Sequence, residues 1–472
     1  MPICIKNQYT GTAIARAQQA TTTNHVGGMR TSFGEVSGSV WAKNSKELTA
    51  RIGVLRAYTL EGSRDVTPSL IAIALVVAGW SIFAKGLQRW HLTAPIVLVL
   101  AGVTVGLTTR SALASTLNTE VAQRVAEFIL AMLLFLDATE VRGGFLGRDP
   151  RSAVRLLFIA LPLSVAFSVL IGRWLLPDLS WAVLVVIACA AAPIDFASAP
   201  SILRDERIPE RVRNLLKVEG GYGDGILSPV FICALAIAVG QPHRQTTLDA
   251  LTMAVPPVIE ALLVGAVIGG TLALLTNAAE RRDAMTDQSK RLLIIAAPIL
   301  SYGVSVGIGG NGFISAFVCG IVINALRRSE TFRQQLASAD DIGFMLAAVM
   351  WFVFGCAAVM AFANGIPWRI VAFALLVLTV VRLAPILLST MSSHLAWRDR
   401  LAIGCLGPRG TPSIVFGLLA FNVLDGEPAD ATILAVVIVV LGSLVMHGAG
   451  SPAIARLYPQ PGNRETESES AR

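Results

Sequence analysis

The stretch VEGGYGDGIL, residues 218–227, sets two carboxylates, Glu219 and Asp224, among four glycines, directly before an apolar run. An ionisable group inside a membrane-like segment is costly unless it is paired or hydrated, so it marks an ion or proton path by default. Five further charges share this setting: Asp137, Asp195, Glu260, Arg382 and Arg409. A carboxylate there binds a proton or a cation, and an arginine supplies the countercharge. Glu219 and Asp224 are five residues apart, about 140° around a helix, so one face cannot hold both. They call for separate partners, one at a water-filled site and one in a structural pair. The glycines at 220, 221, 223 and 225 permit close helix approach.

Asp195 lies in AAAPIDFASAP, between Pro193 and Pro200. Proline removes a backbone donor and breaks the helix ladder, which frees carbonyls and amides beside the carboxylate. The plain alternative is an aspartate capping a helix end. Arg409 lies in LGPRGTP, between Pro408 and Pro412, and Arg382 in TVVRLAP. A buried arginine favours a carboxylate held by its two-pronged guanidinium.

The elements that carry these residues are apolar. Of 472 residues, 54% are hydrophobic and 15% charged, where a soluble domain carries about 25% charged residues. Mean hydropathy is +0.66. Runs such as LIAIALVVAGW (70–80) and WAVLVVIACAAAP (181–193) recur from Leu70 to Val445. They read as membrane helices of roughly 20 residues each. A large buried α/β core is the alternative, and the missing polar faces argue against it. The expected fold is an all-α polytopic membrane protein of about thirteen spans. The fifth and twelfth spans are broken in the same way. An odd offset of seven spans makes the two halves inverted, and paired broken segments point to a central transport site.

Basic residues crowd the odd-numbered connections, for example Arg204, Arg207, Arg211, Arg213 and Lys217 after span five. The even-numbered ones are nearly bare. Positive loops stay cytoplasmic, so the first helix starts outside and the tail ends inside. The same rule explains the net charge of +7 without nucleic acid. Residues 1–67 form a polar extension, expected to be disordered or an incorrectly extended start, and 451–472 a short cytoplasmic tail. The membrane domain is placed at 68–450. No CxxC, HExxH or phosphate-binding glycine loop before a lysine is present, so a fixed metal site, redox chemistry and a nucleotide-driven pump are not expected.

Four stretches carry a resemblance: LLFLDATEVRGG (133–144), AAPIDFASAPSILRDERIPERVRNLLKVEGGYGDG (191–225), LTVVRLAPILLS (378–389) and CLGPRGTPSIVFGLLA (405–420). In this order they resemble the core of bacterial sodium/proton antiporters of the monovalent cation:proton antiporter-1 family, over about residues 68–450. The resemblance implies a thirteen-helix inverted repeat in the bacterial plasma membrane, usually a homodimer embedded in lipid. It implies exchange of H⁺ for Na⁺ or Li⁺, with K⁺/H⁺ exchange or a drifted, weakly active member as alternatives. No cofactor, nucleotide or catalytic residue is implied. Carried over, Asp195 matches the aspartate of the family's Thr-Asp-Pro motif. Asp224 matches that of its Asn-Asp motif, the main ion and proton carrier. Glu219 matches a structural glutamate expected to pair with Arg382, and Arg409 the arginine of Gly-Pro-Arg-Gly. Asp137 and Glu260 are secondary candidates. The chain departs from the family at Ile194, Phe196, Gly220 and Gly223, where the family has Thr, Pro, Ser and Asn. Three polar side chains near the ion are therefore absent. A passive channel and a membrane-bound sensor are the readings from other classes.

Overall fold

The helix Trp181–Ala191 illustrates how this sequence sets its elements. It contains no charged residue, and the Ser180 hydroxyl caps its start by accepting the Val183 N–H at 3.3 Å. Ala192 keeps helical backbone and its N–H still donates to the Ala188 carbonyl, but Pro193 then offers no N–H to carry the ladder on. The computed structural model describes residues 71, 74–87, 92–108, 120–141, 146–240, 247–327, 330–363, 365–455 and 458. The expectations for residues 1–67, and for the tail apart from the backbone to 455 and residue 458, lie outside the described residues.

Apart from the one-turn helix Ser201–Arg204, the described α-helices are α1 (Ala74–Leu87), α2 (Ala94–Thr108), α3 (Glu120–Glu140), α4 (Pro150–Leu175), α5 (Trp181–Ala191), α6 (Glu210–Gly240) and α7 (Thr247–Arg281). They continue as α8 (Asp287–Gly307), α9 (Gly312–Leu326), α10 (Glu330–Ala361), α11 (Trp368–Thr390), α12 (Trp397–Cys405), α13 (Thr411–Val423) and α14 (Glu427–Ala455). Seven are long and apolar enough to cross a membrane by length and composition. With α12 and α13 as halves of one span, the fold is an all-α, multi-pass membrane architecture of about thirteen passes. Across its most apolar stretch α7 is 28% buried, whereas that of Asp341–Ala361 in α10 is 67% buried. The first therefore offers its apolar side chains to lipid and the second to protein.

The repeat shows in the packing. Helix α9 packs on α3, and α2 packs on α10. Shifting either pair by seven spans gives the other. Both contacts are glycine-mediated: a Cβ at Gly320 would sit 2.8 Å from the Phe135 carbonyl, and Gly102 and Gly355 face each other's helix backbone. The α5–α6 contact is matched in the same way by α13–α14. The fourth span of each half is also irregular. Helix α4 carries a π-helical stretch, Leu156–Ala160, and α11 is interrupted at Thr379, with φ −114° and ψ −84°.

Connections that share parity share a face. Arg211 reaches Asp149 at 2.6 Å and Arg148 reaches Glu210 at 2.5 Å, tying the starts of α4 and α6. Arg327 after α9 donates to the Thr139 carbonyl near the end of α3 at 3.3 Å, and Asn277 of α7 to the Leu326 carbonyl at 2.9 Å. On the opposite side, the Asn311 N–H after α8 donates to the Pro257 carbonyl within α7 at 3.1 Å.

Candidate functional site

Two unwound segments cross beside α6. One runs from Ala192 to the short 3₁₀ turn Phe196–Ser198, and the other is Leu406–Gly410 between α12 and α13. Asp195 has extended backbone, φ −131° and ψ 112°. Its N–H donates to the Pro408 carbonyl at 2.9 Å, a strand-like contact between the two breaks. Its carboxylate accepts the Ala197 N–H at 2.7 Å and, from the other break, the Thr411 N–H at 2.8 Å. The capping reading and the ion-site reading of Asp195 thus share one geometry. Gly410 lies so close that a side chain there would overlap the Asp195 carboxylate.

Arg409 is 4% exposed and, among the described residues, pairs with no carboxylate. Its guanidinium donates to the carbonyls of Ala192 and, at 3.1 Å, Pro193. Those carbonyls close α5 without intrahelical partners and form the negative end of its dipole. The expected preference for a carboxylate is therefore met here by helix-end carbonyls. Arg382 behaves differently. Both its terminal nitrogens donate to the two oxygens of Glu219, Nη2 at 2.9 Å, and Nη2 also donates to the Ile403 carbonyl at 3.1 Å. Both residues are buried.

Asp224 is 1% exposed. Neither of its carboxylate oxygens makes a hydrogen bond among the described residues. The Ile194 amide faces it outside hydrogen-bond geometry, and the charges acting on it are Asp195, Arg409 and Glu219. Pro229, four residues after Gly225, leaves the Gly225 carbonyl without its helical donor. Of the glycines around Asp224, Gly220 is packed against Phe196, Gly221 against Asp137 and Val141, and Gly225 against the Phe317 ring. Gly223 differs, since a Cβ there would meet nothing within 4 Å.

The structure thus gathers Asp195, Glu219, Asp224, Arg382 and Arg409 around one crossing. Three carboxylates against two guanidiniums leave one negative charge when all are ionised. Asp137 sits on α3 with its carbonyl against Gly221. Glu260 stands on α7 near the Gly309 turn, away from the crossing.

Sequence reasoning overlooked Ser443 and His447 of α14. The Ser443 hydroxyl accepts the Arg409 N–H at 2.8 Å, and His447 Nε2 lies 3.2 Å from the Gly407 N–H and from the Cys405 carbonyl. Its Nδ1 faces the Ser443 carbonyl at 2.9 Å. An amide only donates and a carbonyl only accepts, so a ring that serves Gly407 carries its proton on Nδ1. These two residues pin the second break. The available signal was a polar pair four apart in the apolar run GSLVMHG, residues 442–448.

Residues 71–456 match the family model described as "Sodium/hydrogen exchanger, transmembrane". The chain belongs to the sodium/hydrogen exchanger family. Membership sets this exchanger-family chain among transporters rather than enzymes. Its similarity to individual members is low. It is 22% identical to a Na(+)/H(+) antiporter of Schizosaccharomyces pombe over 69% of this chain and 75% of that protein. It is 24% identical to the K(+)/H(+) antiporter NhaP of Alkalimonas amylolytica over 72% of this chain and 58% of that one. The fold is similar to that of the sodium proton antiporter MjNhaP1 of Methanocaldococcus jannaschii, with TM-score 0.68 and 16% identity, over 83% of this chain and 99% of that one. Relatives from fungi, bacteria and an archaeon all match, so family membership does not single out bacteria.

Proposed function

We propose that this chain is a secondary active antiporter that exchanges H⁺ for Na⁺ or Li⁺ by alternating access, with proton and cation competing at Asp195 and Asp224. The observation that carries the reading is Asp224: a buried carboxylate whose two oxygens have no hydrogen bond among the described residues, next to a cluster short of one positive charge. One proton or one monovalent cation supplies that charge, and the two exclude each other. That exclusion couples the flows. Glu219, Arg382 and Arg409 serve as scaffold: the first two as a closed pair, the third as the clasp on the end of α5.

The second reading is K⁺/H⁺ exchange. It is favoured by the open space at Gly223, where a Cβ would meet nothing within 4 Å, and by the K(+)/H(+) names of several bacterial relatives. A drifted, weakly active family member is a separate alternative, the outcome if the missing polar side chains at 194, 220 and 223 go unreplaced. The membrane domain is taken as 68–450, in a plasma membrane with the N-terminus outside, the C-terminus inside and a homodimeric assembly. Everted vesicles carrying the protein test the exchange. Adding Na⁺, Li⁺ or K⁺ to acid-loaded vesicles should collapse the pH gradient, and the order of the three ions decides between the readings. No response to any of them would reject the antiporter.

A further inference from the structure

Thr411 is the first residue of α13 and is 1% exposed. Its N–H is engaged by Asp195 Oδ2 at 2.8 Å, which fixes the residue beside that carboxylate. Its hydroxyl faces the Asp195 carboxylate but makes no hydrogen bond in good geometry among the described residues. A buried hydroxyl without a partner is destabilising and calls for an explanation. Both oxygens of Asp224, across the crossing, are in the same condition. Each oxygen of Asp195 accepts one amide and retains a further lone pair. The crossing therefore collects oxygen acceptors with unused capacity, the donor set that hard cations take.

We infer that the Thr411 hydroxyl is a third protein ligand, beside Asp195 and Asp224, for the monovalent cation bound at the crossing. The inference rests on the antiporter reading above and adds a ligand from the opposite broken helix. A neutral hydroxyl raises the coordination number without changing the local charge, so one cation still balances the cluster. It also replaces an oxygen that Ile194, Gly220 and Gly223 do not offer. The competing role is a cap, in which the hydroxyl only steadies the Asp195 carboxylate. A cap stabilises the protein with or without the cation, whereas a ligand acts only when the cation is present.

The test uses the purified full-length chain in detergent at alkaline pH, in choline chloride, titrated separately with NaCl, LiCl and KCl. Melting temperature reports binding for the native protein, Thr411→Val, Thr411→Ser and Asp224→Asn. Valine keeps the shape and removes the hydroxyl. It should melt with the native protein in choline, yet need about tenfold more cation for half-saturation, the order expected for one contact to a charge. Serine should stay within about twofold of native. Vesicle exchange should show a raised KM for the cation with the maximal rate kept. An unchanged half-saturation in Thr411→Val overturns the inference, as does a lower melting temperature in choline with cation dependence intact. Should the valine variant not accumulate, Thr411→Ala is measured in its place, and failure of both also overturns it. If native protein shows no cation-dependent shift, the antiporter reading falls as well. If Asp224→Asn loses the shift while Thr411→Val keeps it, only the Thr411 ligand falls.

Discussion

At the scale of residues, two acidic groups five positions apart on α6 have opposite surroundings. Glu219 is closed by a guanidinium, and Asp224 is open. Asp224→Asn should give a folded protein that does not exchange, because an amide cannot take up and release the proton. Normal exchange per folded protein would reject the carrier role. Arg382→Ala leaves Glu219 charged and alone in a buried site. Breaking such a pair costs about 3–5 kcal/mol, so folded yield by size exclusion should fall before any kinetic defect appears. Glu219→Gln in that background should recover part of the yield by removing the orphan charge. If Arg382→Ala accumulates normally, or the double variant recovers nothing, the pair is not what holds the two helices.

Among the elements, the two breaks depend on close approach. A side chain at Gly410 would overlap the Asp195 carboxylate, while one at Gly223 would meet nothing within 4 Å. Gly410→Ala should therefore lower folded yield and abolish exchange, and Gly223→Ala should accumulate as native does. Equal yields would show that the crossing tolerates a methyl. At the membrane surface, Asp149 caps α4 and meets Arg211. Partial burial pushes its carboxyl up, but bonds from Arg211 and from the Ser152 hydroxyl and amide outweigh this and hold it below the usual range. A depressed carboxyl stabilises the fold above its unfolded value, about 3.9, and loses that contribution as pH falls through its folded value. Asp149→Asn should melt lower at neutral pH, by under about 1 kcal/mol for so exposed a pair. The gap should close as pH falls through the folded-state value. A gap independent of pH would assign the loss to something other than the carboxylate charge.

For the whole molecule, the charge count at the crossing sets a stoichiometry. One negative charge is left for one proton or one cation, and Gly223 adds no second acid. Exchange should be electroneutral, with one H⁺ per cation and no net current. A transport current that varies with imposed voltage at fixed ion gradients would contradict this. The inverted repeat, seen in the matched contacts of α3 with α9 and α2 with α10, supplies the two related halves that alternating access requires.

The sequence by itself determined the membrane class, the span pattern, the two breaks and the residues at issue. Each of these is local: apolar length, proline chemistry and the cost of a charge in a greasy segment are legible one segment at a time. The pairing of Glu219 with Arg382 was named through a family resemblance, since 163 residues separate them and no local rule joins them. Only the tertiary structure decided what Arg409 holds, because its partners are backbone carbonyls that every residue carries. The same limit hid the Ser443 and His447 clamp, the place of the Thr411 hydroxyl beside Asp195 and the difference between Gly223 and its neighbouring glycines. A glycine's role depends on what stands opposite it, and a hydroxyl's on whether anything answers it. Both are properties of how distant segments meet.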